Sequence, residues 1–115
     1  MVDYVEDYRF AVDEVRKHYL IPSDSSVESF LIEHRPLAHV LLNAVPQLER
    51  HFGRDTVVEL RAPLDESGER MLYAVVIWPG PAQEAADALA GFDDSWWLAQ
   101  LPVASGDLTY TYELV

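Results

Sequence analysis

The chain begins in one hydrophobic rhythm and ends in another. Over residues 3–20, Val5, Tyr8, Val12, Val15 and Tyr19 recur at spacings of three and four, which predicts a helix with a single apolar face that Phe10 widens. Pro22 disfavours helical geometry in the residue before it, so this helix should stop near Ile21. In "IPSDSSVESF", Ser25 and Glu28 stand in the register of a capping box and predict a short second helix through Phe30, Leu31 and His34. Pro36 ends that helix and opens a third, whose stripe is Leu37, Val40, Leu41, Ala44 and Leu48. Pro46 cannot donate to the carbonyl of Leu42, so a kink or a fresh helix from Pro46 to His51 is expected there. Gly53 is placed as a C-terminal cap.

Beyond residue 55 the period changes to two. Val58, Leu60 and Ala62 alternate with Val57, Glu59 and Arg61, the pattern of a half-buried strand. "LDESGER" is a polar turn. "MLYAVVIW" is apolar on both faces and predicts a central strand covered on both sides. "PGPAQEAADALAGF" predicts a helix with Pro81 near its start and Gly91 near its end. Asp93 then fits the N-cap of another short helix, with Asp94 where the helix dipole favours negative charge. In the closing segment Leu108, Tyr110, Tyr112 and Leu114 alternate with Thr109, Thr111 and Glu113. The order α-α-α-β-β-α-(α)-β predicts a single α+β domain over residues 1–115, with the N-terminal helices packed on a three-stranded, mainly antiparallel sheet. The strand–helix–strand step leaves a parallel last strand open.

Composition narrows the chemistry. A chain of 115 residues, half of them apolar, has material for one real core. The absence of cysteine removes disulfides, thiolate nucleophiles and Cys-based zinc sites. No apolar run reaches the roughly 18–20 residues that span a bilayer. The acidic start "MVDYVEDYRF" lacks the layout of a secretory leader, so a soluble, cytoplasmic protein away from membranes is expected. Net charge is −12, and it is uneven: eleven acids face seven bases in residues 1–63, whereas nine face Arg70 alone in residues 64–115. Such a field repels phosphate backbones, which argues against nucleic-acid binding, and attracts a basic protein. Solubility and salt adaptation account for acidity equally simply.

The segment "GFDDSWWLAQLP" raises the sharpest question. Adjacent helical residues point about 100° apart, so Trp96 and Trp97 cannot both enter one narrow stripe. One ring should pack with Leu98 and Leu101 against the sheet, leaving the other at the margin of the core or outside it. An exposed Trp beside Asp93 and Asp94 has the composition of an interface anchor. A second candidate surface is the sheet: if the polar sides of the outer strands share a face, an apolar stripe between polar margins would suit a partner or a second copy of the chain. A third is a pocket between the sheet and the aromatic side chains Tyr73, Trp78, Tyr110 and Tyr112, suited to a small molecule.

Catalytic and cofactor signatures are missing from the pattern. No glycine-rich phosphate loop or Gly-x-Ser-x-Gly elbow occurs. His34 and His39 are five apart, not the i, i+4 pair of a zinc helix, and the acidic turns lack the ligand count of a calcium loop. No catalytic residue, metal ligand or cofactor is therefore nominated. Phe92, Asp93, Trp96 and Trp97 make the back half resemble a group of small bacterial proteins with an FD-x-x-WW signature. That resemblance implies an α+β domain and brings no activity with it. The expectation is a non-enzymatic interaction module, antitoxin- or inhibitor-like, that binds a basic partner. A small-molecule-binding domain and a homo-oligomeric structural subunit are the alternatives.

Overall fold

A computed structural model describes residues 13–21, 26–34, 36–64, 66–100 and 108–115. The predicted helix before residue 13, the cap Ser25 and the flank Leu101 lie outside them. Helix α1 covers residues 13–18 of the described chain. It is followed by α2 (Ser26–Glu33), α3 (Pro36–Phe52), β1 (Val57–Arg61), β2 (Leu72–Trp78), α4 (Ala82–Phe92) and β3 (Leu108–Leu114). An ion pair of 2.6 Å between Arg16 and Glu28 ties α1 to α2.

Helix α3 shows how local chemistry sets the elements. Pro36 is its first residue, where a missing N–H costs nothing. The five predicted stripe residues Leu37, Val40, Leu41, Ala44 and Leu48 are all buried. The helix runs through Pro46 as one element, so packing of that stripe outweighs the lost hydrogen bond. It ends at Gly53, whose φ of 101° lies in the left-handed region and whose N–H donates to Glu49 O at 2.9 Å.

The sheet is mixed, in the order β1-β2-β3. β1 and β2 form an antiparallel hairpin with Leu60 opposite Ala74, and its turn passes through Gly68 at φ 85°. β3 returns after α4 and pairs parallel to β2, with Ala74 opposite Tyr110. A helical crossover delivers a parallel strand on the same side of the sheet, which a tight hairpin cannot do. On the far edge of β1, Leu20 N–H donates to Val58 O and Leu20 O accepts from Leu60 N–H, both at 2.8 Å, forming a single parallel bridge.

The register separates two faces. Val58, Leu60, Leu72, Ala74, Val76, Leu108 and Tyr110 point to the helices and are buried. The polar sides of the outer strands do share the opposite face, where Glu59, Arg61, Thr109, Thr111 and Glu113 flank Tyr73, Val75 and Ile77. Arg61 reaches Glu59 at 2.7 Å and, across β2, Glu113 at 2.6 Å. The two carboxylates raise the Arg61 pKa, and Arg61 in turn lowers that of Glu113.

Three elements meet at one buried hydroxyl. Tyr19 Oη donates to Leu41 O at 2.7 Å and lies 3.1 Å from Tyr110 Oη. The carbonyl can only accept, so Tyr19 gives it its proton and Tyr110 donates to Tyr19. Burial raises the pKa of both phenols. Tyr110→Phe leaves the Tyr19–Leu41 bond intact and should cost about 1 kcal/mol. Tyr19→Phe strands a buried hydroxyl and should cost more, about 1–3 kcal/mol. Urea unfolding of the two variants and the double variant checks this: the double should cost less than the sum, and strict additivity would contradict the shared chain of bonds.

Candidate functional site

The segment carrying the tryptophans is not a fresh helix. Asp93 has helical φ and ψ of −60° and −51°, and its N–H is bonded back to Leu89 O and Ala90 O. The predicted N-cap at Asp93 is therefore corrected: α4 runs on without a break. Over Asp93–Trp97 it widens into a π turn, closed by the bond from Leu98 N–H to Asp93 O, and residues 98–100 are again α-helical.

The wider turn solves a packing problem. Residues five apart on an α-helix point about 140° away from each other, since each residue turns about 100°. An i→i+5 turn brings them nearly into line. Phe92 and Trp97 are such a pair, and their rings lie 6.5 Å apart at 14°. Both pack on Tyr110, at 4.9 Å and 4.8 Å. Phe92 is fully buried, and Trp97 is 6% exposed. Trp96 is partly buried against the same core, with its ring 5.6 Å from Phe92. One indole thus enters the core and the other lies at its margin. The expected packing of Leu98 is corrected, for its side chain is 54% exposed.

The acids end up on the outside. Glu84 and Asp87, three apart on α4, Asp94 in the π turn and Leu98 just beyond it are all exposed. Asp93 is half-buried, and desolvation followed by the charge of Asp94 raises its pKa. No Lys or Arg occurs in residues 71–115.

Gly91 lies near the end of α4, as expected, one residue before Phe92. A Cβ there would sit 3.0 Å from His51 Nδ1. His51, from the last turn of α3, lies over this gap, and its Nε2 is 2.9 Å from Ser95 Oγ in the π turn. A serine and a histidine at that distance make half of a nucleophile–base arrangement. In a triad Nδ1 would face an orienting acid, whereas here it rests against Gly91. The contact is a clasp between α3 and the π turn. Sequence reasoning missed it because 44 residues separate the partners.

The four aromatic residues of the predicted pocket do not gather. Trp78, Tyr110 and Tyr112 lie on the helix side of the sheet, and Tyr73 lies on the other. Tyr110 is buried in the aromatic cluster, and Trp78 packs edge-on against Phe52 at 5.9 Å. Trp78 Nε1 is buried without a hydrogen-bond partner among the described residues. Concave space occurs elsewhere, in a groove of about 960 Å³ between α2 and the β1–β2 hairpin and a smaller one of about 190 Å³ lined by Lys17, His18 and Arg54. Among the described residues, no cluster of three or more His, Asp or Glu side chains could hold a metal ion, and no helix is long and apolar enough to cross a membrane.

Comparison with protein-family models, curated proteins and solved structures finds no match.

The His51 clasp predicts a reversal of sign. Gly91→Ala should destabilise the protein by about 1–3 kcal/mol, because the new methyl meets the imidazole. In a His51→Ala background the same substitution should stabilise by up to about 1 kcal/mol, the helix preference for Ala over Gly. Thermal melts of the four proteins check it; the same sign in both backgrounds would contradict the contact.

Proposed function

We propose that the chain is a non-enzymatic protein-interaction module of the bacterial cytoplasm, antitoxin- or inhibitor-like, which takes a basic protein partner on the outer face of α4 and the π turn. One observation carries this reading. Glu84, Asp87 and Asp94 stand exposed along α4 and the π turn, with the exposed Leu98 just beyond, in a stretch without a single Lys or Arg. Charge complementarity of this kind steers the encounter, and the exposed Leu98 supplies apolar contact area. Trp96 contributes from the margin, and Trp97 acts through the fold rather than by touching the partner. The same reading extends to the FD-x-x-WW group, where the Phe and the second Trp are taken as architectural.

A second reading rests on the sheet face turned away from the helices, where Val75 is buried and Tyr73 and Ile77 are half-buried. Val57, Tyr73 and Ile77 lie there beside charges already paired among themselves, so a second copy could pack without burying an unmatched ion.

Charge reversal separates a local surface from a global field. Glu84→Lys/Asp87→Lys/Asp94→Lys should weaken affinity for the basic partner about 100-fold, three contacts of ~1 kcal/mol each. Glu49→Lys/Asp55→Lys/Glu66→Lys changes net charge equally and should weaken it less than about tenfold. Equal losses would contradict the proposal. A dimer by light scattering that Ile77→Asp returns to monomer would favour the sheet face instead.

A further inference from the structure

The larger groove runs between α2 and the hairpin, and its volume of about 960 Å³ falls within the range of small-molecule sites. Its floor is apolar, since Val27, Phe30 and Ala62 are all buried. One wall carries the half-buried His34, whose ring stacks on that of Phe30 at 4.1 Å and 25°. The opposite wall holds Leu64, 58% exposed, and Arg70.

Arg70 is the only base in residues 64–115, and it stands in this groove. Its Nη1 donates to Ala62 O at 2.5 Å, beside the Leu64–Arg70 bridge, which fixes the guanidinium against the hairpin. That bond uses one of five N–H groups. Arg61 lines the groove as well, but its charge is matched by Glu59 and Glu113.

We propose that this groove binds a small monocarboxylate with an apolar or aromatic body. The carboxylate meets the guanidinium fork of Arg70, a geometry the fork favours over a point charge. The body lies between His34 and Leu64, over the apolar floor. A single negative charge suits the site better than a phosphate dianion, because Glu33 stands on the same rim and the whole chain carries −12. This site is separate from the acidic face of α4, and either proposal can fail alone.

The test uses the full chain, titrated with 4-phenylbutyrate, its neutral counterpart 4-phenylbutanol, and phenyl phosphate, followed by amide NMR shifts. The carboxylate should give saturable shifts at Phe30, His34, Leu64 and Arg70, with the alcohol and the phosphate at least about tenfold weaker, the scale of one charge-assisted hydrogen-bonded contact. Arg70→Gln should lose about tenfold and Arg70→Lys should fall between. Glu33→Gln, a surface change that leaves the hairpin intact, should tighten binding about two- to threefold. No saturable shift at these residues, equal binding of alcohol and acid, or unchanged affinity in both Arg70→Gln and Glu33→Gln would overturn the proposal.

Discussion

The packing of Phe92 and Trp97, stacked on each other, against Tyr110 is the constraint from which the rest follows. Two large rings five residues apart cannot share one side of an ordinary helix. The chain accepts a π turn, and both rings then close on the same strand. Tyr110 passes the contact onward through its hydroxyl to Tyr19, which holds Leu41 in α3. The parallel strand, the crossover helix, α1 and α3 are thus joined around a single ring. A second link, from His51 to Ser95, fixes the π turn to α3 from its outer side.

The same geometry sorts the charges. Turning Trp97 inward leaves Asp94 and the earlier acids of α4 facing out. The cations gather elsewhere: Arg16 and Lys17 on α1, Arg50 and Arg54 at the end of α3, Arg61 and Arg70 at the hairpin. Several are matched locally, as in the pairs Arg16–Glu28 and Lys17–Glu14. The outer face of α4 has no such neighbour on its own segment, and this asymmetry sets it apart as a surface for a basic partner.

Much of the fold was legible in the sequence, because the informative signals were local or periodic. The α3 stripe, the Pro36 start, the Gly53 stop and the central strand of apolar residues all follow from 3.6- and 2-residue periods and from backbone chemistry. What was not legible depended on contacts far along the chain. "FDDSWW" carries every local mark of a helix start, yet the burial of Phe92 and Trp97 against a distant strand keeps the helix going. Gly91 falls near the end of α4 as its position suggests, but nothing local shows that His51 lies over it. The sheet's alternation already separates Tyr73 from Trp78; grouping the four aromatic residues by type rather than by parity suggested a pocket that the register divides. The groove at Arg70 was invisible for a similar reason, since α2 and the hairpin meet only in three dimensions.

The most direct test of this arrangement is the environment of Trp97 alone. In a protein with Trp78→Phe and Trp96→Phe, Trp97 is the sole indole, and its fluorescence and acrylamide quenching report its surroundings. Blue-shifted emission with quenching several-fold slower than for free tryptophan is the predicted result. Solvent-like emission and rapid quenching, in a variant whose circular dichroism shows it folded, would mean that the π turn does not carry Trp97 into the core, and the arrangement built on it would not stand.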